Sequence, residues 1–94
     1  MNTIELILAE RNKQQKKGYT AEHDDEETNG QIAKAAAVYA CPPEMRDGIA
    51  HLWEWSGAYF KPDTTSTTEG RIKELVKAAA LICAEIERLD RICK

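Results

Sequence analysis

Five carboxylates in six residues, Glu22, Asp24, Asp25, Glu26 and Glu27, surround His23 and follow Lys16-Lys17-Gly18-Tyr19. Three kinds of chemistry use such residues. Clustered carboxylates can hold Mg²⁺, which takes oxygen ligands and keeps several waters; Glu87 and Asp90, three residues apart near the C-terminus, could add ligands. His23 could act as a general base near neutral pH. No Ser or Cys nucleophile stands in a motif with it, and His51 is the only other histidine, so a structural or ligand-contacting role for His23 is expected over a catalytic one. The third chemistry is ion pairing: Asp24 or Asp25 would meet Arg11, while the outer glutamates face solvent.

A second group is aromatic. Trp53, Trp55, Tyr59 and Phe60 lie within eight residues, followed by Lys61. They can cap a helical core, or wall a slot for a nucleobase with Lys61 or Arg71 taking phosphate; rings and guanidinium together suit such a ligand. Combining the two groups gives an expected pocket of Arg11, Tyr19, His23, Asp24, Asp25, Trp55, Phe60, Lys61 and Arg71, with Trp53 as a structural ring.

Helices must position these residues. Asn2 with Glu5 three residues on reads as a capping box, starting a helix from Thr3 to Lys17 with Arg11 on its inward side and Gly18 in a left-handed conformation at its end. Residues 19–29 read as a loop or irregular turn. Thr28 and Gln31 form a second capping-box pattern for a helix ending near Cys41, before Pro42-Pro43; Ala33, Ala36, Ala37 and Ala40 would let another helix approach closely. Residues 42–62 read as ordered but irregular, with a helical turn or two after the prolines, and Thr64–Thr68 as a mobile loop. Ser66 and Glu69 give a third capping box. Beyond it Ile72, Leu75, Val76, Ala79, Ile82, Cys83, Ile86, Leu89 and Cys93 repeat at 3-4 spacing, predicting a helix of about 22 residues whose apolar stripe is packed. Strand signals are nearly absent. The expected fold is all-α: one domain of three main helices, the last the longest, with an irregular aromatic connection. That last helix outruns a small domain's core, so a homodimer or larger assembly is expected, unless the first helix covers it.

Composition narrows the classes. The 94 residues carry a net charge of −3 and 31% charged residues. No global basic field favours nucleic acid. Cys41, Cys83 and Cys93 are too scattered for a disulfide framework or a zinc site, and Cys83 and Cys93 read as small core residues. No signal peptide and no membrane-spanning run is present, so a reducing cytoplasmic location is expected.

The order of these pieces resembles a family of small proteins common in bacterial phages and prophages. The match runs through Glu10–Arg11, Gln14 or Gln15, "GYTAEHDDE" at 18–26, "GQIAKAAAVYA" at 30–40, "WEW" at 53–55, "FKP" at 60–62 and "RIKELVKAAALICAEIERLDR" at 71–91. Tyr19 and Phe60 stand where relatives commonly carry tryptophan. The resemblance implies origin more than mechanism. The run "QQKKGYTAEHDDE" is also similar to the ryanodine-receptor repeat (RyR domain), over about half the chain. That small helical module carries Gly-Trp and then Arg-Asp-Asp; here the gap is shorter and His23 replaces the arginine. This second likeness implies a ligand-binding module, with adenine nucleotides as ligands. Three functions stay open: a non-enzymatic protein that sequesters a nucleotide or nucleotide-derived signal in an anti-defence role, needing no cofactor; a Mg²⁺-dependent nucleotide hydrolase of all-α type; and an adaptor acting on a host protein.

Overall fold

The computed structural model describes residues 2–93. Four α-helices follow in order: α1 (Thr3–Lys16), α2 (Ala21–Asp25), α3 (Gln31–Ala40) and α4 (Thr68–Cys93). Between α3 and α4 the chain runs through two 3-10 segments, Pro43–Leu52 and Gly57–Tyr59. No strand occurs among the described residues, and none of their helices is long and apolar enough to cross a membrane. The all-α expectation holds, with a long C-terminal helix.

The ends of α1 form as the sequence predicts. Asn2 Oδ1 accepts from the Glu5 amide at 3.2 Å. At the other end Gly18 has φ +107°; its amide donates to Gln15 O, and the Tyr19 amide donates to Gln14 O, both at 3.1 Å. This Schellman closure needs the left-handed residue that glycine supplies at least cost.

Residues expected to be irregular hold a one-turn helix instead. Thr20 Oγ1 caps α2 through the His23 amide at 3.4 Å, and Glu22 and Asp24 place negative charge at its positive end. So short a turn has no apolar period to read. The two other capping boxes are also corrected. Gly30, with φ +77° and no side-chain cap, precedes α3, and Gln31 Oε1 accepts from the Asn29 amide at 2.6 Å. At α4, Thr67 Oγ1 accepts from the Gly70 amide at 3.0 Å, while Ser66 sits just outside at φ +55°. The 26 residues of α4 span ~39 Å at 1.5 Å per residue, close to the 41 Å long axis of the molecule.

The core is made of small residues. Ile32, Ala35, Ala36, Val38 and Tyr39 of α3 are buried against Ala78, Ala80 and Ala84 of α4. Of the alanines expected to form the close-packing face, only Ala36 is buried; Ala33, Ala37 and Ala40 are exposed. The rotation that buries Ile32 and Tyr39 turns them outward. A larger correction concerns α4. Its buried positions are Gly70, Glu74, Ala78, Ala80, Ala84 and Arg88, so the stripe read as packed lies on the other side. Ile82 is 48% exposed, Cys83 half-buried and Cys93 exposed.

A buried charged node joins the two sides of the core. Glu74 accepts from Arg46 Nη1 at 2.9 Å, from the Asp63 amide at 3.1 Å and from Arg71 Nη1 at 3.2 Å. Arg46 also donates to the Val38 and Tyr39 carbonyls, and Arg71 to those of Tyr39 and Ala40. The last carbonyls of α3, which have no intrahelical partner, are thereby satisfied by guanidinium groups anchored on α4. Gly70 is required beside this node, since a Cβ there would lie 1.9 Å from Asp63 Oδ2.

Candidate functional site

The Schellman turn aims Tyr19 back toward the molecule, and the Thr20 cap of α2 fixes Asp24 about one turn later. The aromatic connection is tied down by Tyr39. Its hydroxyl accepts from the Lys61 amide at 2.9 Å, its ring meets Trp53 edge-on with centroids 5.7 Å apart, and Phe60 packs at 5.1 Å. Trp53 in turn meets Trp55 edge-on at 5.4 Å. Trp55 lies 6.5 Å from Tyr19, the two ring planes 27° from parallel.

These constraints enclose a cavity of about 360 Å³, within the ~300–1,000 Å³ range of small-molecule sites. Its walls carry five rings, Tyr19, Tyr39, Trp53, Trp55 and Tyr59. Ile32, Leu81 and Ala84 form the apolar base, and Gln14 adds an amide. Four cations, Arg11, Lys17, Lys61 and Lys77, face two carboxylates, Glu10 and Asp24. Lys77 donates to the Lys61 carbonyl at 3.0 Å and lies 5.7 Å from the centre of the Tyr39 ring. Burial pulls its ammonium below the ordinary lysine value and raises the Tyr19 and Tyr39 phenols.

The polar end is unbalanced. Arg11, 6% exposed, reaches Asp24 Oδ2 at 3.4 Å and Glu87 Oε2 at 3.3 Å, both through Nη2. Its Nε and Nη1 are buried without an acceptor, as is Trp55 Nε1. Asp24 has His23 Nδ1 at 3.4 Å. Burial nevertheless raises its carboxyl above the ordinary aspartate value, against the pull of His23, Arg11 and Arg91. Unsatisfied buried donors cost about 1–3 kcal/mol each. A bound acceptor at this wall would relieve that cost.

Of the residues singled out in the sequence, Arg11, Tyr19, Asp24, Trp55 and Lys61 meet at the cavity. His23 stands behind it, edge-on to Tyr19 at 5.1 Å and 3.6 Å from Glu27. Asp25 points elsewhere: it is exposed and accepts from Arg91 Nη2 at 2.7 Å. Arg11 therefore pairs with Asp24, not Asp25. Phe60 lies under Arg46 and beside Tyr39 and Trp53, and Arg71 closes α3; neither lines the cavity. Trp53, expected to be structural only, both packs on Tyr39 and forms part of the wall. Sequence reasoning missed Glu10, Gln14, Lys17, Tyr39 and Lys77, which come from faces of three different helices. The 3-4 spacing of Glu10, Gln14 and Lys17 on the Arg11 side of α1 was the available signal. The acids do not converge: among the described residues no three of His, Cys, Asp and Glu form a group that could hold a metal ion.

The Arg11–Asp24 contact can be tested separately from any ligand. Arg11→Ala and Asp24→Ala should each destabilise, and the double variant by less than their sum, with a coupling of about 0.5–3 kcal/mol. Urea unfolding of the four proteins measures it; strict additivity would remove the contact. No protein-family model, no curated protein and no solved structure matches this chain.

Proposed function

We propose that the protein is a non-enzymatic binding module for a nucleotide-like small molecule, one with a planar ring and an anionic group. One observation carries this reading. The buried charged nodes at Glu74 and at Arg11 differ. At Glu74 the carboxylate has three donors. At Arg11 two guanidinium nitrogens lack acceptors at the wall of an aromatic cavity. A closed node is sufficient for stability; an open one beside rings and excess positive charge suits a ligand anion. The ring would pack against Tyr19 and Trp55, whose centroids lie 6.5 Å apart with planes 27° from parallel, on the face they turn to the cavity. A sequestering role in phage anti-defence rests on the sequence resemblance alone.

Both tryptophans of the chain line the cavity, so their fluorescence reports on it directly. Titration with mono-, di- and cyclic nucleotides and ADP-ribose derivatives, followed by fluorescence and calorimetry, should give saturable quenching with heat for at least one of them. The bound nucleotide should be recovered unchanged after incubation with Mg²⁺. Folded protein that carries no nucleotide through purification and gives no heat with any of the panel would overturn the reading. Turnover with Mg²⁺ would replace it with a hydrolase.

A further inference from the structure

The apolar stripe of α4 faces away from its own fold. Ile72, Ala79, Ile86 and Cys93 alternate with Leu75, Ile82 and Leu89 at strict 3-4 spacing, which are the a and d positions of three heptads. Buried Glu74, Ala78, Ala84 and Arg88 lie across the helix from them, and none of the seven seam residues is buried. Exposure reaches 45% at Leu75, 48% at Ile82, 60% at Ile86 and 47% at Leu89. The chain has its inner helix contacts on one side of α4 and a coiled-coil seam on the other.

We infer that this seam is a homodimer interface, with α4 of a second copy as its occupant. Three observations select that occupant. The seam is uncharged from Ile72 to Cys93 and of one repeat, so an identical helix fits its holes; Ile72 with Leu75 and Ile86 with Leu89 carry the Ile-at-a, Leu-at-d pairing that favours two strands, with Ala79 and Ile82 between them. The flanking Glu85 is held within the chain by Arg88 at 2.6 Å, so no partner of opposite charge is called for. The area also matches. Leu75, Ile82, Ile86, Leu89 and Ile92 expose about 500 Å². That is close to the apolar share, about 65%, of the ~800 Å² per partner that a standard homodimer interface buries. The internal core has few large residues: among the described residues Ile32 and Tyr39 are its large buried side chains, beside Val38 and five alanines. Dimerisation gives the chain the second apolar layer it otherwise lacks.

Sedimentation equilibrium with native mass spectrometry tests this on the full chain. The wild type should have twice the 10.6 kDa chain mass. Ile82→Glu with Ile86→Glu should sediment at the single-chain mass with an unchanged helical circular dichroism signal, since both side chains are half exposed or more. The milder Leu89→Ala, which keeps a helix-favouring residue, should weaken association about tenfold or more. Met45→Glu, at a 62% exposed residue off the seam, should change nothing. A wild type that stays at single-chain mass up to high concentration overturns the inference, as does a dimer that survives the Ile82/Ile86 change. The cavity uses Lys77, Leu81 and Ala84 of α4, so loss of the dimer and loss of ligand binding are read independently.

Discussion

Replacing Glu74 with alanine is expected to cost about 3–5 kcal/mol, the range for breaking a buried ion pair from one side. At ~4–8 °C per kcal/mol for a chain of this size, Tm should fall by at least about 12 °C. The side chain is 3% exposed, so its loss takes away the carboxylate that neutralises Arg46, 12% exposed, and the more open Arg71, 27% exposed. Both arginines also hold the last carbonyls of α3, so the loss spreads to the α3–α4 packing. The pH dependence follows. Burial pushes the Glu74 carboxyl up, but Arg46, the Asp63 amide and Arg71 overcome this and hold it below its ordinary 4.5. A depressed carboxyl contributes stability above the unfolded value and loses it as pH falls through the folded one. Asp24 has the opposite sign. Its raised carboxyl favours the folded state most below its ordinary 3.8 and loses that contribution as pH rises through the folded value. The gap between wild type and Glu74→Gln should therefore narrow as pH falls below about 4.5, and the gap between wild type and Asp24→Asn should not follow it. Urea unfolding between neutral and acid pH decides both; a gap for Glu74→Gln that stays constant would mean the carboxylate is not held by these donors.

The same node shows what the sequence made legible. Arg11 was readable as inward because one helix carries its period, and Gly18 as left-handed because a helix ended there. The stripe on α4 was readable as a stripe, but its direction was not. Periodicity says which residues share a face, not which face meets the rest of the chain. Here the packed face holds Glu74 and Arg88 among alanines, a composition that looks solvent-exposed until Arg46, Arg71 and Glu85 neutralise it. Arg71–Glu74 and Glu85–Arg88 are i,i+3 pairs of a kind usual on exposed helix faces, whereas Arg46 and Glu74 stand 28 positions apart, where no local rule reaches. The same blindness hid half the cavity. Tyr39 looks like an ordinary core aromatic of α3, and only the fold shows that it supports Trp53 and Phe60 and receives the Lys61 amide. Asp24 and Asp25 are neighbours in sequence with different partners, because a helical turn separates adjacent side chains by about 100°.

Trp55→Ala should weaken binding of the proposed nucleotide-like ligand, with much less effect on folding than loss of a core ring would have. Trp55 is half-buried, its indole Nε1 has no acceptor, and its neighbours are Trp53 and Tyr19, themselves partly exposed. Phe/Trp→Ala in a packed core costs ~3–5 kcal/mol; at the edge of a cavity the deleted ring leaves space already open to water, so the cost should fall below that range. Stacking of a base on an aromatic side chain is worth ~1–3 kcal/mol. Removing one ring of the Tyr19–Trp55 pair should thus weaken affinity by about 5- to 150-fold, and Tyr19→Ala should do the same. Trp53→Ala should behave differently. That ring packs on Tyr39 and Phe60 and donates through Nε1 to the Ser56 carbonyl at 3.1 Å, so its loss should lower Tm as well as affinity. Tyr19→Trp should restore or strengthen binding, since a larger ring keeps the wall. Calorimetric titration of each folded variant with the nucleotide bound by wild type makes the comparison. If Trp55→Ala and Tyr19→Ala bind as wild type does, the ring does not pack on them, and the cations at Lys61 and Lys77 are left to account for the affinity.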